Sequence, residues 1–269
     1  MATPDQAPPA PALAGLNALL DQVAERQRRD FGHMASDVKP DGTLITACDR
    51  WSDETLVAGL AREFPGEDVL SEEGRQTVPS TERYWVVDPL DGTTNFTAGI
   101  PYWAISLARF ENGVPILAVL DVPPLRQRIV ATRGQGAWRN GKPLAPPLHH
   151  ADAAGCASLC SRSIGVLQKL SDRRFPGKIR LLGVASLNLV SVGMGQTVAA
   201  LEATPKIWDL AAAWLVLEEL GCAVRWLRAD PAKEVEGEDL SARDYPVLAA
   251  RDTETLERFL PWGEALVNA

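Results

Sequence analysis

Histidine, methionine and tyrosine occur three times each in this chain of 269 residues, and cysteine four times. The cysteines (Cys48, Cys156, Cys160 and Cys222) form no Cys-x-x-Cys pair and no regular framework. A disulfide scaffold is therefore not expected, and reduced thiols in a cytoplasmic protein are. No apolar run is longer than Leu210–Leu217, far short of the ~20 residues that span a bilayer, which excludes a transmembrane helix and leaves no membrane partner expected. Basic residues are outnumbered, with 27 Lys and Arg against 35 Asp and Glu for a net charge of −8. A chain of that sign lacks the basic face that a phosphate backbone demands, so no nucleic-acid partner is expected. Residues 1–11 are rich in proline and alanine and carry no basic segment followed by an apolar one. They read as a disordered tail and not as a secretory signal. No internal repeat and no Gly-x-x-x-x-Gly-Lys-Ser/Thr loop is present, and Gly193-Met194-Gly195 lacks the third glycine of a dinucleotide fingerprint.

What remains is ordinary globular material, 46% hydrophobic and 23% charged. Leu13, Leu16, Leu19, Leu20 and Val23 recur at helical spacing up to a charged run ending near Asp30. Ser36–Cys48 carries Pro40-Asp41-Gly42 and reads as loop. A helix is expected from Asp49 to Phe64, then strands at Asp68–Ser71 and Tyr84–Val87. Apolar runs at Trp103–Phe110, Val114–Asp121 and Arg128–Thr132, split by Asn112-Gly113 and Pro123-Pro124, predict a meander. Pro143–Ala151 reads as the boundary between an N-terminal α+β lobe over 12–150 and a C-terminal α/β lobe over 151–269. The second lobe alternates strands (Ile179–Leu182, Val198–Ala203, Ala223–Leu227, Val247–Ala249) with helices at Ala185–Met194, Asp209–Leu220 and Thr253–Leu260. The pattern predicts a layered α/β (α+β) protein.

Carboxylates stand where these elements begin or end: Asp49, Glu72, the pair Asp88 and Asp91, and Asp209. Oxygen ligands gathered at element ends are how hard cations such as magnesium are held, with water and substrate phosphate filling the other positions. In Asp88-Pro89-Leu90-Asp91-Gly92-Thr93-Thr94-Asn95 the proline fixes a turn, so that the Leu90 carbonyl can face the same cation as the two aspartates. Gly92 permits a tight turn, and a helix starting at Thr93 or Thr94 would aim free N–H groups at an anion beside the cation. Cations and amide donors in one pocket suit phosphoryl transfer, where catalysis is mostly positioning and charge neutralisation. Singly, each residue has a plainer reading: Asp-Gly is a common turn, Glu72-Glu73 a common surface pair, and Asp209 a helix N-cap. The ordered set is what points to chemistry.

The segment Trp85–Phe96 with Gly99-Ile100-Pro101 resembles the first signature of the inositol monophosphatase family, and Ile207-Trp208-Asp209-Leu210-Ala211-Ala212 resembles its second. Glu72-Glu73 is similar to the family's paired glutamates, and Leu44–Asp49 to its Val-Thr-x-x-Asp element. The resemblance covers nearly the whole chain after the tail. It implies an αβαβα sandwich and a magnesium-dependent, lithium-sensitive, homodimeric phosphomonoesterase with two or three Mg2+ per site. It implies Glu72, Asp88, the Leu90 carbonyl, Asp91 and Asp209 as metal ligands. Thr93 would position the attacking water with Glu72 and a supporting Asp49. Gly92, Thr93 and Thr94 would hold the phosphate, with Glu202 and Asp209 on the rest of the substrate and Lys39 at a basic position nearby. One cation would acidify the water and another would stabilise the leaving alkoxide.

Departures fall on the substrate side, where Gly183-Val184-Ala185-Ser186 replaces the family's Gly-Ser/Thr-Ala-Ala. The resemblance implies a small-molecule phosphate ester as substrate, with inositol monophosphate as the default. Histidinol phosphate is next, since Lys39–Thr46 has the opening of that branch, followed by other sugar or nucleotide phosphates. A catalytically silent metabolite-binding or regulatory protein on the same fold is the alternative of a different class. A haloacid-dehalogenase-type phosphatase is disfavoured because Asp88 and Asp91 are spaced one residue too far apart. A covalent histidine phosphatase is disfavoured because His33, His149 and His150 lie in no recognisable motif.

Overall fold

The computed structural model describes residues 10–40, 42–147, 155–170 and 172–268. Two helices open the chain, α1 (Ala10–Asp30) and α2 (Ala47–Glu63), with a short antiparallel hairpin of β1 (Ser36–Val38) and β2 (Leu44–Thr46) between them. The helix α1 starts just inside the stretch read as a tail; residues 1–9 lie outside the described residues. The hairpin corrects the reading of Ser36–Cys48 as loop. Its three-residue strands pair only with each other, and β1 is exposed throughout, so no apolar alternation marks it.

A seven-stranded sheet follows in the order β3-β4-β5-β6-β7-β8-β9. It is built from β3 (Asp68–Ser71), β4 (Arg83–Asp91), β5 (Ala104–Glu111), β6 (Val114–Val122), β7 (Gln127–Thr132), β8 (Gly136–Arg139) and β9 (Lys142–Pro143), with the short helix α3 (Thr93–Thr97) inserted after β4. Only β3 and β4 run parallel; the rest is the expected meander. A five-stranded sheet in the order β11-β10-β12-β14-β13 uses β10 (Cys156–Leu159), β11 (Lys178–Arg180), β12 (Ala199–Glu202), β13 (Ala223–Trp226) and β14 (Val247–Ala250). Around it lie α4 (Ser163–Lys169), α5 (Ala185–Gly193), α6 (Ile207–Glu219) and α7 (Thr253–Val267). The reading of the sequence passed over β10 and α4, and His149 and His150 lie outside the described residues.

Side-chain alternation along the strands sets the layers. Trp85, Val87, Ile105, Leu107 and Val119 face one way and bury Leu16, Leu20 and Val23 of α1 with Leu56 and Leu60 of α2. Their neighbours Val86, Ala104, Ala108, Phe110 and Leu120 face the other way, onto α5 and α6. Those two helices also pack beneath Ala200, Val247 and Ala249 of the second sheet, whose outer face (Leu159, Leu201, Leu248) is covered by Val166 of α4 and Phe259 and Trp262 of α7. The order is helix, sheet, helix, sheet, helix, the αβαβα sandwich expected. Sandwiched between sheets, α6 is buried on every side from Leu210 to Leu217, which explains why it has no polar face. Each such Leu or Trp contributes about 1.5–3 kcal/mol by leaving water. Gly221 ends α6 with φ of +67°, a left-handed cap that glycine takes without strain. No described helix is long and apolar enough to cross a membrane.

Candidate active site

The carboxyl end of β4 is where the sheet opens. Pairing with β5 is regular up to Asp88 and resumes at Asp91, because Pro89 has no N–H for the ladder. Asp88 Oδ1 accepts the Leu90 N–H at 2.9 Å, closing a tight turn that directs Asp88 and Asp91 to the same side. Gly92 follows with φ of +107° and caps α3; a Cβ there would stand 2.8 Å from Val184 Cγ2. Glycine is thus required twice over, by torsion and by space.

Asp209 reaches the same place from the first turn of α6. The helix begins at Ile207, so Asp209 is not the N-cap that its sequence position suggested. It is the third helical residue, and its Oδ2 accepts the Lys206 N–H at 2.8 Å. One carboxylate oxygen from each of Asp88, Asp91 and Asp209 lies within 4.8 Å of the other two. They open onto a cleft of about 870 Å³ that is also lined by Glu72, Leu90, Gly92, Thr93 and Thr94. Glu72 is placed by its N–H, which donates to Val87 O at 3.1 Å, and its side chain faces Lys39, whose ammonium donates to Glu72 Oε1 at 2.7 Å and to Glu73 Oε1 at 2.6 Å.

Asp49 lies behind this group, only 1% exposed. Thr46 caps α2 and accepts the N–H groups of Cys48 (3.0 Å) and Asp49 (3.3 Å), while its own N–H donates to Asp49 Oδ2 at 2.8 Å. This capping box fixes the Asp49 carboxylate with its other oxygen turned to the cleft, where Asp49 Oδ1 accepts the Thr93 hydroxyl at 2.7 Å. A hydroxyl has one proton; with that proton given to Asp49, the lone pairs of Thr93 Oγ1 face outward, able to accept from water.

Of the residues singled out from the sequence, Glu72, Asp88, Leu90, Asp91, Gly92, Thr93, Thr94, Asp209 and Lys39 line one cleft, with Asp49 supporting Thr93. Glu202 does not line it. At the end of β12 it is 5% exposed, and its Oε1 accepts Asn188 Nδ2 at 2.7 Å. The reading of the sequence missed three supports: Thr46, the Ser186 N–H that donates to Asp91 Oδ2 at 2.7 Å, and Gln27, which meets the Pro89 carbonyl. Only Thr46 had a local signal, its spacing of three from Asp49.

Electrostatics says what the cleft lacks. Burial, reinforced by the charges of Glu72 and the other aspartates, holds Asp88 and Asp209 well above the usual carboxylate range. Burial also pushes Asp91 up to about 6, against the pull of Ser186. Glu73 rises to about 7 through burial and the neighbouring Glu72, with Lys39 opposing. Burial works to lower the Lys39 ammonium, but Glu72 and Glu73 outweigh it and leave it raised. The two lysines of the cleft are engaged elsewhere, Lys39 on the glutamates and Lys206 Nζ on Asp244 at 2.9 Å. Three converging carboxylates, two buried (Asp88 and Asp91) and one half-buried (Asp209), with no side-chain cation between them fit a hard divalent cation.

The pH consequence follows from the raised values. A carboxyl that holds its proton more tightly folded than unfolded favours folding most below its unfolded pKa of 3.8, and loses that contribution as pH rises through about 6, the value for Asp91. Above that, the cation-free protein bears a penalty on the order of 3 kcal/mol from this residue. A bound cation removes the penalty. The rise in melting temperature produced by Mg2+ should therefore be large at pH 8 and shrink towards pH 5 in calorimetric scans. A rise that stays constant or grows in acid would contradict it.

The sequence pattern of the inositol monophosphatase family matches residues 11–260. The chain belongs to that family. It is a phosphoric monoester hydrolase, and its acidic cluster is of the kind that binds a divalent metal. The chain is similar to the histidinol-phosphatase of Mycobacterium tuberculosis, 35% identical over 218 residues that cover 76% of this chain and 83% of that protein. In structure it is similar to the IMPase of Thermotoga maritima, with a TM-score of 0.77, 28% identity, and coverage of 93% of this chain and 96% of that one. An IMPase/NADP phosphatase solved with Mg2+ and phosphate superposes with a TM-score of 0.75 at 25% identity, covering 91% of this chain and 93% of that one. The chain thus shares its fold with both solved structures.

Proposed function

We propose that this chain hydrolyses the monophosphate of a small polyol, inositol monophosphate first, with Mg2+ as the cation, two or three per site. The observation that carries the reading is the Asp88–Asp91–Asp209 cluster beside the Thr93–Asp49 pair. Those aspartates, Glu72 and the Leu90 carbonyl would hold the cations, which would supply the Lewis acidity that acidifies water and neutralises charge on the ester oxygens. The chain's own groups do the rest. The Thr93 hydroxyl, its proton committed to Asp49, accepts from a water and aims it at phosphorus. Glu72 shares the task of receiving that water's proton. The N–H groups of Gly92, Thr93 and Thr94 hold the phosphate oxygens in line, and as the ester P–O bond breaks the leaving oxygen takes a proton from solvent water and departs as the alcohol. Lys39 keeps Glu72 and Glu73 from repelling the incoming phosphate.

A second reading, histidinol phosphate, is supported by the substrate side. Glu202, the residue matched to hydroxyl contacts, is buried and hydrogen-bonded to Asn188, and Val184 stands where a hydroxyl side chain is usual. The similarity to a protein named histidinol-phosphatase points the same way. Phosphate release from the two esters, with Mg2+ and with excess chelator, tests both. Activity on one or both, abolished by chelator and restored by Mg2+, is expected; full activity in chelator would contradict the reading.

Inhibition by lithium and a cytoplasmic location belong to the same proposal. The cysteines, all free, are in keeping with a reducing compartment. So does a homodimer: β11 is an edge strand, and beside it Ile179, Leu181, Leu182 and Ile100 are 36–49% exposed, with Asn95 bonded to the backbone of both Leu182 and Ile100. Light scattering should give twice the chain mass, and a clean monomer would remove the dimer.

A further inference from the structure

Because the β4–β5 ladder is broken between Asp88 and Asp91, the two intervening carbonyls need partners outside the sheet. The Leu90 carbonyl faces the cleft, 3.2 Å from Thr93 Oγ1. The Pro89 carbonyl accepts instead from Gln27 Nε2 at 2.7 Å. Gln27 belongs to α1, no residue of which lines the cleft, and it is 0% exposed. It stands on the helix's apolar stripe in line with Leu16, Leu20 and Val23, where a hydrophobic side chain would be the ordinary occupant. Its polar atoms are nevertheless all used. Nε2 also donates to Ser52 Oγ at 3.3 Å, and Oε1 accepts the Trp103 indole N–H at 3.0 Å. These partners leave the amide one orientation, since an indole N–H can only donate and a backbone carbonyl can only accept.

At the other end of the same peptide, the Leu90 N–H donates to Asp88 Oδ1 at 2.9 Å. The Pro89–Leu90 peptide group is therefore held at both poles, by a carboxylate of the cluster on one side and by Gln27 on the other. A peptide plane is rigid, so turning its carbonyl also turns its N–H. Releasing the Pro89 oxygen would let the Leu90 N–H leave Asp88 and let the Leu90 carbonyl swing off its line into the cleft.

We propose that Gln27 is a positioning residue for the cation site. Held by Trp103, its amide locks the Pro89–Leu90 peptide so that the Asp88 carboxylate and the Leu90 carbonyl converge on one point. It acts through Pro89 and touches neither cation nor substrate. The inference rests on the divalent-cation reading above. Outer groups that orient metal ligands are worth about 10–100-fold in affinity.

The test is calorimetric titration of Mg2+ into the chelator-treated full chain, paired with melting temperature in chelator. Gln27→Met, near in volume and without the amide, should bind Mg2+ about 10–100-fold more weakly. Trp103→Phe, which removes the indole donor along with part of a buried ring, should weaken binding in the same direction by less. Combining the two should add little beyond Gln27→Met alone, because both act through one amide. Ser52→Ala leaves the Pro89 and Trp103 bonds in place; it should lower the melting temperature while leaving Mg2+ affinity unchanged. A Gln27→Met protein that melts lower yet binds Mg2+ like the parent would overturn the proposal and leave Gln27 a core residue. Should that variant fail to fold, an unchanged affinity in Trp103→Phe overturns it equally. A parent that binds no Mg2+ at all would overturn the cation reading itself, a result distinguishable from either.

Discussion

Asp91→Asn is expected to cut phosphate release by ~10³-fold or more while leaving the protein folded. The substitution keeps the volume, and the new amide oxygen can still accept the Ser186 N–H that now meets Asp91 Oδ2 at 2.7 Å. What it removes is one of three negative charges whose oxygens lie within 4.8 Å of one another. Losing a charged ligand forfeits several kcal/mol of cation stabilisation, and each ~1.4 kcal/mol is a factor of ten in rate. Stability should move the other way. Asp91 is buried and its ionisation is resisted, so in chelator at pH 8 the variant should melt at or above the parent temperature. The pairing of a dead enzyme with an unharmed or strengthened fold is the signature of a charge kept for chemistry. Near-normal turnover in steady-state assays would remove Asp91 from the site, and a collapsed fold would make it structural.

Thr93→Val should lower kcat by roughly 10²–10³-fold with KM little changed, the usual range for a group that orients or transfers a proton in the transition state. The change preserves shape and removes the hydroxyl that donates to Asp49 Oδ1 at 2.7 Å. It also strips a partner from a buried carboxylate, so a loss of about 1–3 kcal/mol in stability accompanies it. Thr93→Ser restores the hydroxyl and should recover most of the rate. If the serine and valine variants turned over alike, the hydroxyl would have no part in aligning water. Mg2+ affinity should stay close to the parent in both, which separates this role from that of the aspartates.

How much of this was legible in the sequence depends on how local each feature is. Asp88 to Thr94 are consecutive, so a turn residue, a glycine and two carboxylates could be read together, and all but Pro89 line the cleft. Asp49 was legible as a carboxylate at the start of a helix, although Thr46, the cap three residues earlier that fixes the carboxylate, was not read. The layers were legible through period-two and helical patterns, although the short strands β1, β2 and β10 were passed over. Glu202 shows the opposite case. Its spacing from Asp209 is local, but the partner that holds it, Asn188, comes from α5 and reaches it only in the folded sandwich. Gln27 is harder still, as its role depends on partners 25, 62 and 76 residues away.

The most direct test of the central claim is anomalous diffraction from crystals of the chelator-treated chain soaked in Mn2+, whose signal identifies the cation without reference to activity. The account predicts peaks at the point where Asp88, Asp91 and Asp209 converge with the Leu90 carbonyl, and loss of at least one peak in Asp91→Asn. Peaks confined to other surfaces, or an empty cluster in crystals of active enzyme, would contradict it.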